Sequence, residues 1–136
     1  MQKERPIVVL CVDDDARALM VRSLILCADG YDVQSASSGE AALRIFRHSH
    51  VDLVILDERL HGIDGPALAA LMKRLKPEVL VVLLIGGPEL LSSADRADMV
   101  LRKCMAPPQF LATIENLVAT RGLYLVCEPE ANGRVQ

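Results

Sequence analysis

Five short apolar runs recur along the chain, at residues 7–12, 31–34, 53–56, 79–85 and 99–101, and longer segments with helical spacing separate them. Each run is the length of a strand, not of a helix. Between them, Ala16, Leu19, Met20, Leu24 and Cys27 mark one apolar helix face, Ala41, Ala42, Ile45 and Phe46 a second, and Leu68, Leu71, Met72 and Leu75 a third. Local punctuation agrees with this alternation. Gly30 suits the end of the first helix, Ser37 or Ser38 the start of the second, Pro66 the first turn of the third, and Pro107 or Pro108 the start of the last.

The runs around residues 51–56 and 79–85 are nearly continuously apolar instead of alternating, which is the pattern of strands covered on both faces. The fold class expected is therefore α/β, a doubly wound five-stranded parallel sheet flanked by helices. Right-handed crossovers put the C-terminal ends of such strands on one edge of the sheet, where open α/β proteins bind ligands.

The 136 residues fit one domain, and 51% hydrophobic residues supply its core. With no Trp, two Phe, two Tyr and a net charge of −3, the chain lacks both the aromatic platforms and the basic field of a nucleic-acid binder. No direct nucleic-acid contact is expected. Cys11, Cys27, Cys104 and Cys127 form no C-x-x-C pair and read as reduced thiols of a cytoplasmic protein. No run approaches the ~18 apolar residues of a membrane span, and the first run is too short for a secretory signal. Residues 6–120 are expected to form the domain, and 121–136 a C-terminal extension ending in a polar tail.

Asp13, Asp14 and Asp15 follow the first run, Asp57 the third and Lys103 the fifth, so three strand ends converge at one edge. Clustered carboxylates repel one another unless a cation neutralises them, and hard oxygen donors at a solvent-accessible edge suit Mg²⁺. Lys103 can hold a further anion beside the metal. Together these groups describe phosphoryl transfer in which an aspartate is the nucleophile.

The stretch Val9 to Asp15, the stretch Asp52 to Gly65 with its Gly62-Ile63-Asp64-Gly65, and the stretch Ala97 to Lys103 resemble the receiver domain of bacterial two-component response regulators. The resemblance implies a flavodoxin-like, CheY-type fold over essentially residues 6–120, with Asp57 as phosphoacceptor. It implies Mg²⁺ held by Asp13, Asp14, Asp57 and the Arg59 backbone carbonyl, and Lys103 on the phosphoryl group. Expected partners are a sensor histidine kinase or phosphotransfer protein and a downstream protein target. A homodimer stays open. The plainer readings are that the aspartates only cap a helix, that Lys103 is a solvated surface lysine, that His48, His50 and His61 are surface residues, and that Gly62 and Gly65 serve turns.

The chain departs from the family pattern at several points. Ile85 stands where a hydroxyl residue is usual at the end of the fourth strand, and Val100 where an aromatic is usual on the fifth. Ile85 has no donor, and Val100 is too small to swing between buried and exposed states. The interval from Ile85 to Lys103 is about four residues short, roughly one helical turn, so the fourth helix is expected to be a stub. Cys104 replaces the usual proline, which predicts a trans Lys103–Cys104 bond and a Lys103 amine that either lies too far from Asp57 for a direct hydrogen bond or reaches it only with backbone readjustment.

Three functions follow as expectations: a phosphoaccepting receiver with atypical output coupling, a pseudo-receiver acting as a constitutive interaction module, and an aspartate-nucleophile phosphatase of the haloacid dehalogenase type. The last needs Asp-x-Asp, which Asp13 to Asp15 supply, but Arg17 stands where Thr or Val is expected.

Overall fold

The computed structural model describes residues 5–86 and 97–123. Five strands, β1 (Val8–Val12), β2 (Asp32–Ala36), β3 (Leu53–Asp57), β4 (Leu80–Ile85) and β5 (Met99–Arg102), alternate with helices α1 (Ala16–Ala28), α2 (Gly39–His48) and α3 (Gly65–Leu75), and α4 (Pro107–Thr120) follows β5. The sheet runs β2-β1-β3-β4-β5, with every neighbouring pair parallel. This is the doubly wound order, with β1 and β3 side by side at the reversal of winding.

The period-two alternation of strand side chains divides the core into two layers. Val9, Cys11 and Ile55 point into one with Leu19 and Leu26 of α1 and Phe110, Ile114 and Leu117 of α4. Leu10, Val12, Val54 and Leu56 point into the other with Ala42 and Phe46 of α2 and Leu68 and Met72 of α3. All of β1, β3 and β4 is buried, as continuous apolar runs require. Each fully buried large aliphatic side chain contributes ~1.5–3 kcal/mol.

Caps fix the helix ends. Asp15 caps α1 by accepting from the Arg17 and Ala18 amides, Ser38 caps α2, and Asp64 caps α3 with Pro66 in the first turn. Gly30 lies just past α1 at φ 103°, a left-handed conformation that favours glycine.

The apolar face expected of α1 is corrected. Leu19 is buried, but Met20 and Leu24 are 57% and 63% exposed and Cys27 is exposed as well. The inward stripe is Leu19, Arg22 and Leu26, spaced i, i+3, i+7. Because α1 is apolar on most sides, its sequence periodicity does not single out a face.

At the bottom of the sheet Asp98 anchors the start of β5. Its carboxylate accepts from Lys73 of α3 (2.9 Å), from Arg121 beyond α4 (3.0 Å) and from the Val81 amide (2.8 Å), and its own amide bonds the Val81 carbonyl. The stub of a helix expected between β4 and β5 falls on 87–96 and the polar tail on 128–136, both outside the described residues. No helix among the described residues is long and apolar enough to cross a membrane.

Candidate functional site

The C-terminal ends of β1, β3 and β5 deliver the site. Asp13 follows β1, its amide held by the Ala36 carbonyl of β2, and its side chain is fully buried. Asp57 is the last residue of β3, paired with Leu84 of β4, and only 4% exposed. Lys103 follows β5, its amide bonded to the Ile85 carbonyl. One carboxylate oxygen from each of Asp13, Asp14 and Asp57 lies within 4.8 Å of the others. The convergence expected from sequence is therefore present, and it forms a cavity of about 370 Å³ rimmed by Arg59, Leu60, His61 and Lys103.

Each carboxylate has a basic neighbour. Lys103 Nζ is 3.1 Å from Asp57 Oδ1 and 3.8 Å from Asp13 Oδ2, Arg22 Nη1 is 3.1 Å from Asp13 Oδ2, and His61 Nδ1 is 2.7 Å from Asp14 Oδ2. Burial pushes the Asp57 carboxyl above the usual carboxylate range. The Lys103 hydrogen bond opposes that rise, the charge of Asp13 adds to it, and a backbone hydrogen bond from Arg59 opposes it. Three hard oxygen donors, two of them buried, are the donor set a Mg²⁺ ion takes.

The capping reading holds for Asp15 alone, leaving Asp13 and Asp14 for the cavity. The Lys103–Cys104 bond is trans, since no cis peptide occurs among the described residues. Of the two outcomes expected of a trans bond, the one that keeps the amine away from Asp57 is corrected: Lys103 reaches Asp57 directly. Its flexible four-carbon stem spans the distance without help from a cis bond. His61, expected as a plain surface residue, is 94% exposed yet contacts Asp14.

Sequence reasoning also missed Glu58, whose carboxylate accepts the Gly86 amide at 3.1 Å, and Arg22. A single charge at position i+3 of the Leu19–Leu26 stripe is the signal that could have found Arg22. Ile85 ends β4 buried, and Val100 of β5 is half-buried beside Leu83.

Strand order and edge chemistry together define a doubly wound domain with an acidic edge whose oxygens could hold a cation. The chain belongs to the response regulator receiver domain family, which its residues 9–115 match. Among curated relatives it is 39% identical over 80 residues to the transcriptional regulatory protein GlrR of Escherichia coli, covering 59% of this chain and 18% of that protein. It is 35% identical over 124 residues to the probable transcriptional regulator ycf27 of Porphyra purpurea, covering 86% and 48%. The chain thus spans about half or less of the length of these relatives. Among solved structures it resembles a CheY-like receiver domain protein of Methanospirillum hungatei, with TM-score 0.81 and 23% identity over 86% of this chain and 97% of the other. It also resembles the response regulator TrrA of Thermotoga maritima, crystallised with Mg²⁺-BeF, with TM-score 0.77 and 27% identity over 82% and 98%. The family is one of signalling modules in two-component systems.

Proposed function

We propose that this chain is a phosphoaccepting receiver, phosphorylated on Asp57 in a Mg²⁺-dependent reaction. The observation that carries the reading is the meeting of the Asp13, Asp14 and Asp57 oxygens within 4.8 Å, with the Lys103 ammonium 3.1 Å from Asp57. Asp13, Asp14, Asp57 and the Arg59 backbone carbonyl would hold the metal, which when bound offsets repulsion between these carboxylates and an incoming phosphoryl group. An Asp57 carboxylate oxygen attacks phosphorus, and the bond from phosphorus to the donor breaks. That donor is an imidazole nitrogen of a phosphohistidine or the acyl oxygen of acetyl phosphate. The electron pair leaves with the donor, and Asp57 carries an acyl phosphate. Lys103 then exchanges its carboxylate partner for a phosphoryl oxygen.

The partners that fit are a sensor histidine kinase or phosphotransfer protein and a downstream protein target, in the cytoplasm. The exposed apolar strip of Met20, Val21 and Leu24 on α1 supports a protein-contact role. Ile85 and Val100 offer neither a hydroxyl nor an aromatic ring, so output coupling takes an atypical route.

Incubation with acetyl phosphate and Mg²⁺, followed by intact mass measurement, tests this. Wild type should gain one phosphoryl group and Asp57→Asn none. Equal labelling of both would reject Asp57, and no labelling of either would favour the constitutive interaction module.

A further inference from the structure

Arg22 carries a charge between the buried Leu19 and Leu26 of α1. It projects from the inward stripe of α1, its side chain is only 13% exposed, and its Nη1 lies 3.1 Å from Asp13 Oδ2. Asp13 has little left to offer a ligand. Its Oδ1 accepts the Asp15 amide at 2.9 Å, and its Oδ2 faces Arg22 with Lys103 farther away at 3.8 Å. Lys103 has its own closer partner in Asp57, so Arg22 is the principal counter-ion of Asp13.

A cation that takes an oxygen of Asp13 meets a guanidinium already on that carboxylate. Two cations sharing one buried oxygen repel strongly where water is scarce. The guanidinium has an outlet. A cavity of about 410 Å³ adjoins the acidic pocket between α1 and the start of α4, and Arg22 lines it with apolar Val21 and Phe110, with the carboxylate-bearing Asp15, and with the basic Arg17, Arg102 and Lys103. Arginine is suited to such a wall, because its stem packs on apolar groups while its weakly hydrated head stays charged.

We propose that Arg22 is a built-in counter-ion that competes with the divalent cation for Asp13 and moves into the α1–α4 cavity when the cation binds. This rests on the reading of the acidic pocket as a cation site and adds to it a residue that sets the affinity. It also gives metal occupancy a readout on α1, beside the exposed strip of Met20, Val21 and Leu24, that needs neither a hydroxyl at position 85 nor an aromatic at position 100.

The test is a calorimetric titration with MgCl₂ of wild type, Arg22→Gln, Arg22→Lys and Asp13→Asn. Removing a charge-assisted contact that opposes binding should tighten Mg²⁺ roughly tenfold in Arg22→Gln, whereas Arg22→Lys should stay near wild type. Equal or weaker binding by Arg22→Gln overturns the proposal. Asp13→Asn separates this failure from a deeper one: if it binds Mg²⁺ as well as wild type, the ion lies elsewhere and the reading of the pocket falls as well. The Arg22 side-chain Nε–H resonance of the wild type gives a second measurement, decisive even should the glutamine variant fail to fold. It should shift on Mg²⁺ saturation, and an unmoved resonance at saturation overturns the displacement.

Discussion

Lys103 Nζ lies 3.1 Å from Asp57 Oδ1 although the Lys103–Cys104 bond is trans. The ammonium favours the charged form of a carboxyl that burial otherwise pushes up. Replacing Lys103 with Met removes that support, so the Asp57 pKa should rise further and the acid limb of the labelling profile should move to higher pH. Labelling at neutral pH should slow by on the order of tenfold to a hundredfold, since a charge aimed at the reacting group is lost. A pH series of intact-mass time courses checks both, and a profile superimposable on wild type would remove Lys103 from the reaction.

Asp57→Asn should stabilise the metal-free protein at pH 7. The sign follows from the raised pKa: the folded state holds its proton more tightly than the unfolded chain, so stability is fullest below the unfolded value and falls as pH rises through the folded one. A neutral amide removes that loss. Urea unfolding of both proteins in EDTA measures it, and a less stable asparagine variant would contradict the electrostatic account.

Gly65 opens α3 against the end of β3, and a Cβ there would clash with the Asp57 carbonyl oxygen and Glu58 Cα. Both contacts are backbone, so the strand end must move. Gly65→Ala should cost about 1–3 kcal/mol and lower Asp57 labelling together with stability. Denaturant midpoints and labelling on the same samples decide it, and an alanine variant with wild-type values in both would show that the strand end yields freely.

Away from the site, burial pushes the Asp29 carboxyl up to about 6, helped by a hydrogen bond to Glu115 of α4 and by that residue's charge. The folded state therefore binds a proton that the unfolded chain releases near its ordinary value of 3.8. Stability should decline as pH rises from about 4 to about 6. Asp29→Asn should flatten this slope, as read from unfolding midpoints across that range, and an unchanged slope would assign it to other groups.

Much of this molecule is legible in its sequence where chemistry and spacing coincide. Continuous apolar runs marked β1, β3 and β4 because strands covered on both faces leave no polar positions. Asp13, Asp14, Asp57 and Lys103 were legible because strand ends in a parallel sheet share one edge. The inward face of α1 was not, since Met20 and Leu24 are as apolar as Leu19 and only tertiary packing decides which of them points inward. His61 and Arg22 were missed for a related reason. A long or exposed side chain chooses its partner in space, and sequence separation says nothing of the 2.7 Å and 3.1 Å that result. Proline loss after Lys103 bears on the course of the backbone, whereas the contact with Asp57 depends on the reach of a flexible side chain.

Asp98 holds the entry to β5 against β4, α3 and the end of α4, while the Lys103 amide holds its exit to Ile85. Both ends of the strand are thus tied by contacts that owe nothing to residues 87–96. The place of β5 beside β4 is in consequence set from both of its ends, by a carboxylate at the entry and a backbone bond at the exit. Lys103 therefore stands on a strand pinned at its far end as well as its near one, much as a bridge deck is steadied by both abutments.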